Sequence, residues 1–366
     1  MTNVAEVAAA SVTGEKLEIA EYTKRELRSL LADESFWAQP RLPITRRRAI
    51  SQIENPRAEE NDPVLLTAHF QGQLVAYLGV LPDRVNDPSE GWIRFGWLTA
   101  WWADKESQQR LAAMKLLFAA MKRYGNRLAA SSPASEAARA YVGSGRFEEH
   151  GRCGRSFFIL GLPPSWGGLS RAAQWVAGVK NQLISARSLK QFGLQVQVSD
   201  VFNEEMESFL NVWADKDVFG RDSAYWSWVL QYPWMSTTDE DQIAQKNYAF
   251  SVYAGDFRQI PMWVSRRGTM MAFLLMTLRE GRLTLKHAYY DSADGAYVAA
   301  GLRAAVADIN PWLFVCGDEG LEGRLRKGVP FHVARRVRHS AVYVGKVLPA
   351  SPWLRPQPGT GDSVFT

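Results

Sequence analysis

Residues 91–147 read GWIRFGWLTAWWADKESQQRLAAMKLLFAAMKRYGNRLAASSPASEAARAYVGSGRF. The aromatic and β-branched residues over 92–102 predict a strand, followed by a polar turn. Leu111, Met114, Leu117, Phe118 and Met121 then recur at three and four residues, with Gln109, Arg110, Lys115 and Lys122 on the other face. That period predicts an amphipathic helix over 108–123, laid on a sheet. A small-residue stretch, a second helix ending near Tyr141 and a glycine-rich turn into Phe147 complete the run. A helix that begins directly after a strand turns its free amides and the positive end of its dipole toward the gap at the strand end, where a pyrophosphate fits. Asp104, Glu106 and Ser107 stand before it as candidate caps.

These residues resemble the GNAT superfamily of N-acyltransferases, whose pyrophosphate loop is Gln/Arg-x-x-Gly-x-Gly/Ala at the start of the helix after the fourth strand. Gln108, Gln109, Arg110, Leu111, Ala112 and Ala113 occupy that pattern, with Leu111 in the place of the inner glycine. Ala138, Tyr141, Gly145 and Phe147 fall where the next family signature has a helix tyrosine and a Gly-Phe turn, with Arg146 inserted. The resemblance implies an acyl donor that is acyl-CoA or the phosphopantetheine of an acyl carrier protein. It implies that the fourth-strand backbone around Trp101 and Trp102 holds the pantetheine, that residues 108–113 hold the pyrophosphate, and that Tyr141 protonates the departing thiolate.

Worked outward from this run, the order of elements repeats. Before it come a short strand at 16–20, helical patterns at 22–31 and 45–53, and a hairpin of strands at 64–70 and 74–81 about Gly72. A strand over 155–160 closes this unit. In the second half the order is strand (194–198), helices (203–213, 223–230), strands (248–253, 260–264, 270–278, 282–290), helix (295–309), strand (312–316), short helix (321–327) and strand (337–347). The halves share element order without a shared motif. The predicted class is α/β (α+β), with two tandem GNAT-like domains, each a mixed, mostly antiparallel sheet flanked by helices. The expected divisions are a disordered start at 1–14, domains at 15–162 and 191–348, a linker with a basic amphipathic helix at 163–190, and a proline-rich tail at 349–366.

At 366 residues the chain exceeds one ordinary domain, and 46% hydrophobic with 22% charged residues is a globular composition. No apolar run reaches the roughly 18 residues of a membrane span, and the start lacks a secretory pattern, so a cytoplasmic location is expected. Two cysteines and five histidines without ligand spacing disfavour a metal, and a net charge of +5 is too modest to indicate nucleic acid. The concentrations Arg46-Arg47-Arg48 and Arg335-Arg336-x-Arg338 suit the phosphates of a nucleotide cofactor, an acidic carrier protein, nucleic acid or a solvated surface face. Fourteen tryptophans suit an apolar tunnel framed by Trp97, Trp101, Trp102 and the helix around Trp228, so an acyl group longer than acetyl is expected.

Acyl transfer needs a base for the amine and an acid for the thiolate. Besides Tyr141, the candidates are Asp104 at the end of the fourth strand and His287, which strand alternation places on one face with Leu283, Leu285 and Tyr289. Asp291 and Tyr289 are candidates for gripping the acceptor amine of a small molecule or peptide. The expected function is N-acyl transfer from acyl-CoA or a carrier protein; the alternative is a GNAT-like binding or scaffolding protein that has lost catalysis.

Overall fold

The computed structural model describes residues 16–107, 109, 111–162, 189–326, 334–349 and 357–366. The first 14 residues and, but for its last residues, the expected linker helix lie outside them.

The first half runs β1 (Glu18–Thr23), α1 (Lys24–Leu30), α2 (Glu34–Trp37), α3 (Arg46–Ile53), the meander β2 (Pro63–Phe70), β3 (Gln73–Asp87) and β4 (Gly91–Ala103), then α4 (Ala112–Arg123), β5 (Leu128–Ser131), α5 (Ser135–Gly143) and β6 (Phe147–Ile159). Local chemistry sets the ends. Thr23 and Glu26 form a reciprocal capping box on α1, and the Thr45 side chain accepts from the Arg48 amide to start α3. Gln71 and Gly72 both take positive φ, the tight turn that joins β2 to β3.

The second half runs β7 (Leu194–Val198), α6 (Glu204–Ala214), α7 (Ser223–Gln231), α8 (Asp239–Asn247), β8 (Phe257–Arg266), β9 (Thr269–Arg279), β10 (Arg282–Tyr290), α9 (Gly295–Ile309), β11 (Leu313–Cys316), α10 (Glu319–Leu325) and β12 (Ala334–Gly345). The strand expected at 248–253 does not form. Part of its backbone bonds instead to one side chain, the Gln245 amide donating to the Phe250 carbonyl at 3.0 Å and accepting from the Val252 amide at 2.9 Å, and the Val252 carbonyl accepts from the Ser236 amide at an isolated bridge. This frees Tyr248 and Val252 to bury themselves against α3 and β2 of the first half.

The twelve strands form one sheet in the order β1-β2-β3-β4-β5-β12-β6-β11-β10-β9-β8-β7. The two expected units are its two halves, and they exchange strands. β12, from the end of the second half, lies between β5 and β6 of the first, and β6 pairs along its other edge with β11. On one face α4 and α5 cover the first half and α9 and α10 the second. Between the halves on the other face lies a shared core that brings Trp97 and Phe95 from β4 against Trp226, Trp228 and Phe273 of the second half. Its polar members are paired: Trp97 Nε1 donates to Asp83 within the first half at 3.0 Å, and Trp228 Nε1 donates across the halves to the Ser51 carbonyl at 2.8 Å.

The proline-rich end is not a loose tail. Residues 357–366 fold back into the shared core, where Phe365 is fully buried, stacked 4.7 Å from Trp234 and edge-on to Trp228.

Candidate functional site

β4 and β5 run parallel but pair only at Gly96–Leu128 and Trp97–Ala129, after which they part. A bulge in β4 lies at this parting. Ala100 and Trp101 intervene between the pairs Thr99–Gly79 and Trp102–Tyr77, which leaves Leu78 alone opposite two residues, and Ala100 takes φ 44°. The bulge sends consecutive indoles to different places. Trp101 stacks on Tyr141 at 5.3 Å, while Trp102 stacks on Tyr77 at 5.2 Å with Arg41 4.5 Å above it. Beyond Trp97, no backbone group among the described residues pairs with the edge of β4 that faces β5.

α4 follows with Leu111 as its N-cap and no capping side chain. Leu111 is 67% exposed and has φ −95°, so its backbone is one any residue adopts and makes no demand for glycine. Ala112 is buried and its amide donates to the Gln109 carbonyl, while the Gln109 amide donates to Ser107 Oγ at 3.1 Å. Gln108 and Arg110 lie outside the described residues.

The second half has the same features, filled. β10 and β11 pair from Arg282–Leu313 to Thr284–Val315 and then part, with a bulge in β10 at Lys286. Here the free edge of β10 is taken by the chain's own end. The Gly359 amide donates to the Lys286 carbonyl at 2.7 Å, and the Gln357 side chain brackets Ala288, accepting from its amide at 2.9 Å and donating to its carbonyl at 3.3 Å. A Cβ at Gly359 would stand 2.7 Å from the Lys286 carbonyl oxygen, so the approach requires glycine. At the start of α9 the Arg324 guanidinium lies over Gly295, tied to the carbonyls of Gly320 and Ser292.

From β10 the end segment crosses to the open parting in the first half. Gly361, at φ 73°, packs beside Trp97 and Ser131, and Ser131 Oγ lies 3.4 Å from the Asp362 carboxylate. Burial raises the Asp362 carboxyl above the usual carboxylate range, although Arg48, Ser131 and Lys286 favour its charged form. Arg48 is itself buried between Trp234 and Tyr248, with its Nε unpartnered. Arg48, Gln52, Thr99 and Ala100 line a cavity of about 10 Å³ beside the β4 bulge, room for about one water.

The structure does not bring the predicted candidates together. Tyr141 stands beside the open parting: it is 2% exposed, packed by Trp101, Phe147 and Tyr343, and burial followed by the Asp362 charge raises its hydroxyl pKa. Asp104 accepts the Glu106 amide at 3.1 Å and pairs with Arg41 at 3.5 Å, a turn cap rather than a group aimed at the parting. His287 and Tyr289 belong to the shared core. Both imidazole nitrogens are buried without a partner, and burial and then Arg221 push the ring down to about 3, so it is neutral near pH 7 and a poor base. Tyr289 donates to the Asp217 carboxylate and stacks on Trp213 at 5.5 Å, so it holds the core rather than an amine. Asp291 is exposed at the turn before α9, in the half whose parting is filled. The tunnel tryptophans Trp97 and Trp228 are packed in the core, which leaves no channel framed by them. Asp362 and Ser131 were not found by sequence reasoning, and Arg48 was noted only as part of the basic run 46–48. The one signal at the end of the chain was the apolar pair Val364-Phe365, set in a proline-rich stretch.

No protein-family model and no curated protein sequence matches the chain. Solved structures do. A GCN5-related N-acetyltransferase from Anabaena variabilis superposes with a TM-score of 0.50 at 10% identity, over 90% of this chain and 72% of that one. A conserved protein of Enterococcus faecalis V583 described as a probable N-acyltransferase gives 0.50 at 11%, over the same shares. The chain has the GNAT fold. A tandem GNAT protein from the clavulanic acid biosynthesis pathway is also similar, at a TM-score of 0.46 and 11% identity, over 91% of this chain and 99% of that one. Within that fold β4, β5, α4 and α5 of the first half correspond in order to β10, β11, α9 and α10 of the second. Among the described residues no metal-binding group of side chains occurs and no helix is long and apolar enough to cross a membrane.

Proposed function

We propose that the protein is an N-acyltransferase that uses one donor site, in its first half, to move a short acyl group from acyl-CoA to an amine. The observation that carries the reading is the contrast between the two partings of one sheet: beyond Trp97 the β4 edge has no backbone partner among the described residues, and the β10 edge is occupied by Gln357 and Gly359. A pantetheine arm is a chain of amides that needs such an open edge, and the uncapped start of α4 supplies amides and positive potential for the pyrophosphate. The resemblance to GNAT proteins supports the same placement.

In this reading the thioester lies at the β4 bulge between Tyr141 and Asp362. The amine nitrogen attacks the thioester carbonyl, the C–N bond forms and the C–S bond breaks. Asp362 takes the proton lost by nitrogen, and the Tyr141 hydroxyl gives one to the sulfur. A carboxyl raised by burial is the stronger base, which suits Asp362 to this task. The packed tryptophans and the one-water cavity favour acetyl or a similarly small group over a long chain.

A second reading, a GNAT-like scaffold without turnover, has one observation in its favour: Trp101 and Tyr141 are stacked on each other beside the parting. Calorimetric titration separates the two. The enzyme reading expects one site per chain for acetyl-CoA, and a flat titration with both acetyl-CoA and dodecanoyl-CoA would sink it in favour of the scaffold.

A further inference from the structure

The sheet carries a strip of cations that the donor site does not use. In register, Arg279 stands opposite Arg282, Arg282 opposite Leu313, Leu313 opposite Ile159, and Arg335 opposite Phe157, so these residues share one face across β9, β10, β11, β6 and β12. Arg155 alternates with Phe157 onto that face, and the Arg282 guanidinium lies 5.8 Å over the Phe157 ring. Lys286, at the β10 bulge, feels Arg155, Arg282 and Arg279 together. This is the face of the shared core, opposite α9 and α10.

Nothing described neutralises the strip along its length. No ion pair joins Arg155, Arg279, Arg282 or Lys286 to a carboxylate among the described residues, and the Nε atoms of Arg155 and Arg282 are buried without a hydrogen-bond partner. The carboxylate that acts on Lys286 is Asp362, at the far end and already at the first-half parting. Lys286 Nζ donates to the Ser363 carbonyl at 2.9 Å, so the strip ends one residue from the group assigned to the acceptor's proton. Arginines gathered at this cost, with like charges side by side, are spared repulsion when an oxyanion lies between them.

We propose that the acceptor amine carries a carboxylate or phosphate group, and that Arg155, Arg279 and Arg282 with Lys286 bind it while the amine reaches the parting between β4 and β5. This rests on the transferase reading and narrows its acceptor to anionic amines. It reverses the expectation, drawn from Asp291, of a site that grips a cation.

Two measurements on the full chain test it. The first is titration with succinate and with inorganic phosphate at fixed ionic strength, for the wild type and for the doubly substituted Arg155→Gln/Arg282→Gln protein, each with its melting temperature. At least one probe is expected to bind the wild type, with affinity falling roughly 10- to 100-fold in the variant and recovering in part in Arg282→Lys. Which probe binds decides between carboxylate and phosphate. Binding of neither, or binding indifferent to the substitutions, overturns the proposal whatever the transferase does. The second is acetyl transfer from acetyl-CoA to matched acceptors, phenylalanine against phenylalaninamide and phosphoethanolamine against ethanolamine. The anionic member is expected to lead by roughly tenfold or more in kcat/KM, and the variant to shrink that ratio. Equal use of both members overturns the proposal, as does a variant whose loss lies in the KM for acetyl-CoA, which would assign the arginines to the donor's phosphates. Anion binding lost in the variant, with no transfer to any acceptor, supports the cation site and removes the transferase reading instead.

Discussion

Tyr141 and Asp362 are separated by more than two hundred positions in the chain and meet at one parting, and single substitutions distinguish chemistry from packing there. Tyr141→Phe is expected to lower kcat roughly 10- to 1,000-fold with little change in donor affinity, because a proton donor used in the transition state is lost. A phenol that only packs would instead cost up to ~1.5 kcal/mol of stability and leave turnover intact, so kcat and melting temperature of this variant decide. Asp362→Asn is expected to remove the acid limb of the kcat/KM–pH profile, a limb lying above the ordinary carboxylate range because burial raises the Asp362 carboxyl. His287 sets a stability limit rather than a rate. Its folded-state pKa, about 3, lies below the ordinary 6.5, so the unfolded chain binds the extra proton between those values. The stability its neutral form contributes is complete above about pH 6.5 and is lost as pH falls toward 3, by up to ~1.4 kcal/mol per pH unit. Denaturant melts at pH 7, 5.5 and 4 should show a shallower decline in His287→Phe than in the wild type; parallel declines would locate the acid sensitivity elsewhere.

At the scale of elements, the end segment 357–366 is the piece on which both halves depend, since it fills one parting and brings a carboxylate to the other. Phe365→Ala opens a hole between Trp234 and Trp228 and is expected to cost ~3–5 kcal/mol, read as a lower denaturation midpoint. Gly359→Val puts a side chain into the Lys286 carbonyl and should displace the strap; turnover is then expected to fall with donor affinity retained, and full turnover in a folded Gly359→Val protein would remove the strap from the mechanism. Helices and hairpins near their predicted limits were readable because period and turn chemistry are local: Leu111 to Met121 announces α4, and Gln71-Gly72 announces the β2–β3 turn. The strap was not readable, because prolines and small polar residues describe loose and docked segments alike. Residues 248–253 misled for a related reason. Their apolar side chains pack against the other half, and Gln245 and Ser236 take up their backbone groups, neither of which leaves a periodic mark. Of the site, Tyr141 and the α4 start were visible by motif, whereas Asp362, Ser131 and Arg48 come together only through long-range folding.

For the whole molecule, the repeated element order was legible and the exchange of β12 and β6 was not, because strand order in a sheet depends on distant pairings that no local pattern encodes. The exchange predicts that neither half is a folding unit. A chain ending at residue 190 lacks β12, which leaves the facing edges of β5 and β6 bare; it is expected to be aggregated or unfolded by circular dichroism and gel filtration, and to regain solubility when coexpressed with residues 189–366. A monomeric, cooperatively melting 1–190 fragment would refute this. The same exchange also constrains synthesis. β5 ends at Ser131 and β6 begins at Phe147, but the strand that joins them ends at Gly345. While the ribosome makes the 174 residues between β6 and β12, the nascent chain holds two open sheet edges side by side, an invitation to pair with another nascent copy. Slower growth temperature or a holding chaperone should therefore raise the yield of native protein far more than any gain in the stability of the finished fold.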